Sequence, residues 1–303
     1  MYKIAVTLFL LLSINALAQP EHFNTVDFWS KLKYDTSSIN WATTKADTVI
    51  VVVSNRKKTN DSIRFMSEYP TNGALHHFIV YSHNGKWHVK PTGSLEEAID
   101  LVPDKEKDWV VYTEGMGKLF TSDLDRGMNM SAQYGVNVIM LDYPSITSTK
   151  RTSGNYLFAV KQSKATYKYF TKTLIQIKQL HANNQLGSKF KSLNLFFHSM
   201  GNNFAKQLAK KGQLVKLNEG RWVNNIILNA PCVPQSNHRK WLDKITFAQN
   251  IYVNYNPDDF VLGAAHVVSK RKQLGEKIKH PISLKAHYIN FSKVAEDQHS
   301  NFL

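Results

Sequence analysis

Cysteine is nearly absent: Cys232 is the single one in 303 residues. One thiol cannot close an intramolecular disulfide, so stability has to come from a buried core, and a chain that is 43% hydrophobic can build one. Cys232 follows an apolar run and reads as a small packed hydrophobe. Acidic residues are also scarce, 23 against 38 lysines and arginines, for a formal net charge of +15. Such a balance invites an anionic partner. The basic residues are scattered with no long basic block, which argues against nucleic acid and for a weak association with an anionic membrane surface. Histidines are present, but no spacing among them matches a metal-ligand pattern. His76, His77, His83 and His88 crowd one segment, yet His83 and His88 only flank a turn, so neither a metal nor a cofactor is expected. There is no internal repeat and no low-complexity linker.

The first residues carry a targeting pattern. Lys3 supplies positive charge, residues 4–12 are largely apolar, and Ala16-Leu17-Ala18 has the small-x-small form of a cleavage site. The apolar run is too short to span a bilayer as a helix. The pattern predicts a signal peptide over 1–18, a single domain over 19–303, and export to the periplasm or beyond.

From there the chain reads as strands separated by helices. Residues 48–53 form a continuous β-branched run, a buried strand. Residues 77–82 and 86–89 flank Asn84-Gly85, the strongest short hairpin signal, and predict an N-terminal β-hairpin extension. Residues 94–99 read as a short helix with Ser94 as cap and Glu97 as capping-box partner. Strands follow at 109–113, 136–141, 193–198, 223–229, 250–255 and 286–291. Between them fall helical patterns at 122–134, 153–182, 203–209, 238–247 and 264–273. Within 153–182, Val160, Tyr167, Phe170, Leu174, Ile177 and Leu180 make one apolar face. Lys161, Lys164, Lys168 and Lys172 make a basic, solvated one. The alternation predicts an α/β fold, a mainly parallel central sheet with helices on both faces. Ligands bind such sheets outside the carboxyl ends of the strands.

At one of those ends the apolar run Leu193-Asn194-Leu195-Phe196-Phe197 stops at His198-Ser199-Met200-Gly201-Asn202, and an amphipathic segment begins. A serine on a sharp strand-to-helix turn is held clear of the backbone, at a helix N-terminus that favours negative charge. As a plain alternative, Ser199 is a helix N-cap. Two further loops follow later strands, one with Asp258-Asp259 and one with His299. A serine hydroxyl needs a histidine to take its proton and a carboxylate to orient that histidine.

The order Ser199, Asp259, His299 resembles that of the α/β-hydrolases. The chain is similar to a poorly characterised bacterial branch of that superfamily on several short motifs. These are Asn55-Arg56, Tyr143-Pro144-Ser145, the His-Ser-Met-Gly-Asn elbow, Asp259-Phe260-Val261-Leu262 and His299-Ser300. The resemblance implies Ser199 as nucleophile, His299 as general base and then acid, and Asp259 as orienting carboxylate, with Asp258 as the alternative acid. It implies backbone N–H groups of Met200 and Met116 as the oxyanion hole. The expected activity is an exported serine hydrolase acting on a small-molecule or lipid acyl substrate, a carboxylic ester or related bond, through an acyl-enzyme. Two residues depart from the pattern. Phe197 stands where the elbow favours a small residue. Glu114 puts a carboxylate beside the oxyanion loop, with Lys118 or Arg126 as candidate partners. They motivate the alternative of a catalytically weak or inactive envelope binding protein on the same fold.

Overall fold

The computed structural model describes residues 23–44, 46–295, 298–300 and 302–303; the expected signal peptide over 1–18 lies outside them. In chain order the strands are β1 (Leu32–Tyr34), β2 (Val49–Ser54), β3 (Arg56–Lys58), β4 (Met66–Pro70), β5 (His76–His83), β6 (Lys86–Thr92), β7 (Trp109–Thr113), β8 (Asn137–Asp142), β9 (Leu193–His198), β10 (Val223–Asn229), β11 (Ala248–Tyr255) and β12 (Ala286–Asn290). A 10-stranded sheet runs β1-β6-β5-β2-β8-β7-β9-β10-β11-β12, while β3 and β4 pair apart from it. Within the large sheet only β5 runs against its neighbours, antiparallel to β2 and β6.

The continuous apolar runs follow from burial on both faces. In β2, Val51 and Val53 enter one core cluster and Ile50 and Val52 the other. The first cluster takes in Phe170, Leu174 and Ile177 of the Tyr167–Ala182 helix and Phe204 of the Asn202–Lys210 helix. The second is closed by Phe120, Leu124 and Met128 of the Phe120–Tyr134 helix and by Phe28 and Trp29 near the start of the described chain. This is the expected α/β architecture. The hairpin forms at Asn84-Gly85, with φ of 51° and 70° at the two turn residues, and its strands β5 and β6 are integral to the large sheet. His88 stacks on Tyr81 and reaches Asp35 at 3.2 Å, so the histidines there serve the hairpin's packing. Among the described residues no helix is long and apolar enough to cross a membrane.

Several boundaries differ from the sequence reading. The long helix of 153–182 is two helices, Thr152–Ala165 and Tyr167–Ala182. Thr166 lies at the junction; its N–H still donates to Gln162 O at 3.0 Å, and its hydroxyl donates to the Ser163 carbonyl at 3.0 Å. Helix His238–Leu242 is shorter than expected, because Ile245 and Phe247 turn into the core toward β11. The last large helix is Phe260–Ser269, starting earlier than expected because Asp259 caps it, Oδ1 accepting from Leu262 N. Glu97 reaches Gly93 N instead of the Ser94 N–H that a capping box would use. The segment before β2 contributes β1, a parallel edge strand on β6 too short and polar to read from periodicity.

Candidate active site

The site is built at the carboxyl end of β9. Ser199 follows His198 directly and adopts φ 50°, a left-handed conformation that costs a non-glycine residue roughly 1–3 kcal/mol and persists only where the surroundings over-determine it. Asn202 supplies that constraint. Its Nδ2 donates to the carbonyls of Phe197 at 3.0 Å, Ser199 at 3.0 Å and Asn229 at 3.3 Å, tying the turn to itself and to the end of β10. Cys232 N also donates to Ser199 O at 3.1 Å.

Phe197 is accommodated because its side chain leaves the crowded side of the turn. It is buried against Phe204 in the first core cluster, ring centroids 5.7 Å apart. The crowding falls on Gly201, where a Cβ would lie 2.6 Å from the carbonyl oxygens of Thr113 and Glu114.

Three loops bring Ser199, Asp259 and His299 together. His299 Nε2 lies 2.8 Å from Ser199 Oγ, and Nδ1 lies 2.6 Å from Asp259 Oδ2. With Nδ1–H given to the carboxylate, Nε2 carries a lone pair toward the hydroxyl. Asp259 has a fully buried side chain, while that of His299 is 13% exposed, so the reactive end of the chain meets solvent. Asp258 is exposed, with only its backbone N–H engaged, on Asn256 Oδ1 at 3.1 Å. The segment carrying His299 is pinned by Phe302, whose ring packs on Phe196 at 4.8 Å and His198 at 4.9 Å, with Arg126 over it at 5.9 Å.

The loop after β7 passes directly over the hydroxyl. A Cβ on Gly115 would fall 2.6 Å from Ser199 Cβ and 3.3 Å from Met200 N, so only glycine allows the approach. Gly115 N–H is taken by the Glu114 carboxylate at 2.8 Å, and Met116 is the next residue. Met116 and Met200, the expected donors, thus lie on the two segments that meet at Ser199, and their side chains share the third apolar cluster.

Glu114 is buried and fully engaged: Tyr112 OH donates to it at 2.6 Å, and Arg126 Nε lies at 3.5 Å. Burial opposes its ionisation, but His198, Lys118, Arg126 and the Tyr112 hydroxyl outweigh that and hold its pKa below the ordinary carboxylate range. His198 itself is neutral at pH 7, brought down to about 3 by burial first. Arg126 is therefore the cation paired with Glu114 at neutral pH, while burial lowers the pKa of the neighbouring Lys118 ammonium.

A charged cluster fixes the same loop from behind. Arg56 is fully buried, its Nε 2.7 Å from Asp142 Oδ1. Its Nη2 donates to the carbonyls of Lys118 at 3.1 Å and Tyr143 at 2.9 Å. Ser145 Oγ accepts from Lys118 N at 2.9 Å, and Tyr143 OH donates to Gly115 O at 3.3 Å. Asn-Arg and Tyr-Pro-Ser, motifs with no visible task in the sequence, therefore clamp the loop that crosses Ser199. Asn202, Tyr112 and Phe302 had no assigned role in the sequence, since each acts through contacts 27 to 168 residues away or through a buried neighbour.

A cavity of about 320 Å³ lies elsewhere, between the β3–β4 pair and the start of the Phe120 helix, lined by Arg56, Arg64, Glu68 and Tyr69 among others. It does not include Ser199, so size alone does not mark the chemistry. The groove beside Asp259 and His299 is a tight cleft with no water-sized free volume, about 0 Å³. Beside the Ser199 turn, Met116, Met200, Tyr156, Val160 and Leu262 share one apolar cluster. Cys232 belongs to it, and burial pushes its thiol up to about 12, which keeps it protonated and unreactive.

The family model described as alpha/beta hydrolase of unknown function (DUF900) matches residues 93–296, about two thirds of the chain. No curated protein matches the chain, and no solved structure does.

Proposed function

The chain belongs to this family of alpha/beta hydrolases, and we propose that within it the protein is a serine hydrolase that cleaves a carboxylic ester or related acyl bond. The observation that carries the proposal is the continuous chain Ser199 Oγ to His299 Nε2 to His299 Nδ1 to Asp259 Oδ2, with links of 2.8 and 2.6 Å. Ser199 Oγ forms the bond to the substrate carbonyl carbon while its proton passes to His299 Nε2. The carbonyl oxygen gains the negative charge, and the N–H groups of Met200 and Met116 receive it. His299 returns the proton to the departing alkoxide, and the alcohol leaves. Water then gives a proton to His299 and its oxygen to the acyl carbon, and the acid leaves with Ser199 restored. Asp259 keeps the imidazole oriented and balances the imidazolium. The reaction as written needs no metal or cofactor.

The departures behind a binding-only reading have local explanations. Phe197 packs away from the turn, and Glu114 is paired with Arg126 and takes the Tyr112 hydroxyl. The apolar cluster of Met116, Met200, Tyr156, Val160 and Leu262 suits an apolar acyl chain. The leader pattern of Lys3 and Ala16-Leu17-Ala18 adds export to the proposal. The test is turnover of p-nitrophenyl esters from acetate to decanoate. Wild type should release nitrophenol with a preference for one chain length, and His299→Gln should be slower by about 10³-fold or more. Equal rates in the two proteins sink the proposal.

A further inference from the structure

A surface helix ordinarily turns charged residues to water. The Phe260–Ser269 helix does not. Leu262 and Ala265 are its buried positions. At about 3.6 residues per turn, the opposite side carries Phe260, Ala264 and Val267, flanked by Gly263 and Val268. None of the five has a polar side chain. Phe260 is 43% exposed, Val267 68% and Val268 38%. The helix starts one residue after Asp259, so this apolar face begins at the rim of the candidate site. The Thr152–Ala165 helix shares the third apolar cluster with it, Ala159 from one and Leu262 and Ala265 from the other. That neighbour exposes Leu157, at 67%, among the exposed Lys161 and Lys164.

The charge around this face is predominantly positive. No residue from 143 to 218 is acidic, and none from 260 to 275. Lys270, Arg271 and Lys272 follow the helix and are all exposed. Cations of three segments converge there: burial first, then Lys210, Lys164 and Arg271, bring the Lys206 ammonium down to about 8. The nearby acids are the exposed Asp258 at the helix start and Glu276, which is paired with His266 at 3.1 Å.

We propose that this face docks on an anionic lipid bilayer, with Phe260, Val267, Val268 and Leu157 entering the headgroup boundary and the surrounding lysines and Arg271 meeting lipid phosphates. Apolar insertion and polybasic attraction are the two signals that together hold a protein on a membrane. A second copy of the chain would bring two cationic faces together, so charge complementarity selects lipid over self-association. Docking this way sets the mouth of the Ser199 site at the bilayer surface. The docking does not depend on the chemistry at Ser199; only the supply of membrane-held acyl substrate rests on the hydrolase reading.

Co-sedimentation of the full chain with vesicles tests it. Wild type should bind phosphatidylcholine vesicles containing phosphatidylglycerol, bind pure phosphatidylcholine far less, and dissociate as salt is raised. Neutralising Lys270, Arg271 and Lys272 to Gln together should weaken binding by about fivefold per cation, which corresponds to about 1 kcal/mol each. The pair Leu157→Glu and Val267→Glu, remote from Ser199, should abolish binding while thermal midpoint and fluorophosphonate labelling stay at wild-type levels. Ser199→Ala should bind vesicles as wild type does. Vesicle binding unchanged in both surface variants, or equal binding to neutral and anionic vesicles, overturns the proposal. So does wild-type indifference to both, or a dimer in sedimentation that Val267→Glu dissociates. Vesicle binding that follows the expected pattern in a protein no probe labels would leave the docking standing and remove the hydrolase.

Discussion

Two buried aspartates anchor two polar assemblies, and they are built to opposite rules. Asp142 is closed in on every side: Arg56 Nε reaches both its oxygens, at 2.7 and 3.0 Å, and Ser54 donates to it as well. Neither side chain of the Arg56–Asp142 pair meets solvent. Asp259 is equally buried, but it gives one oxygen to a helix cap and the other to His299, a residue on the last loop that reaches solvent. The first assembly is shut away from solvent and holds a loop in place. The second ends on a hydroxyl, beside an imidazole that reaches solvent. A fixed frame behind and an open-ended chain in front are what preorganised chemistry requires, since the frame sets the geometry and the open end spends it.

Breaking each assembly should therefore have different consequences. Asp259→Asn keeps the cap on Leu262 and the shape of the site but loses the charge that orients His299. Its kcat on the best ester should fall by about 10⁴-fold, with the thermal midpoint nearly unmoved. A matching collapse in stability would place Asp259 with the frame instead. Arg56→Met leaves Asp142 buried without its partner and frees the Lys118 and Tyr143 carbonyls. It should destabilise the fold by about 3–5 kcal/mol in urea titration, with activity lost alongside stability. A stable variant that lacks only activity would contradict the division of labour.

The smallest expected effect is in pH dependence, where the two regions should slope in opposite directions. His198, beside the candidate site, is held neutral down to about 3, against an ordinary value of 6.5. Between those values the unfolded chain binds the extra proton. His198 therefore contributes stability that is full above about pH 6.5 and lost as pH falls toward 3, by at most about 1.4 kcal/mol per unit. Asp123, beside Arg56, has its pKa raised by burial and by the adjacent Asp142. The native state then holds the extra proton, so its contribution declines as pH rises above the ordinary carboxylate value. Thermal midpoints from pH 4 to 8 check this. His198→Asn should flatten the acid side of the profile, and Asp123→Asn should lift the neutral side.

The same contrast explains what could be read in the chain. β2, β7 and β8 were legible because strands buried on both faces leave continuous apolar runs. Ser199, Asp259 and His299 were legible because each directly follows such a run or closes the chain after one, and their order is distinctive. Roles for Arg56, Tyr143 and Ser145 were not, although their motifs were visible, because a clamp is defined by carbonyls and N–H groups of distant segments, which have no side-chain signature. The β1, β3 and β4 strands escaped notice because each is short and half polar. Thr166 shows the limit from the other side: the apolar period runs straight through it, and nothing in that period marks the junction of the two helices.

The most direct measurement is labelling by a fluorophosphonate, which forms a covalent bond only with an activated serine. If Ser199, His299 and Asp259 act as one chain, wild type should be labelled at Ser199, located by peptide mass spectrometry. Ser199→Ala should not be labelled, and Asp259→Asn should be labelled far more slowly. Labelling that persists in Ser199→Ala, or none in a folded wild type, would contradict the account.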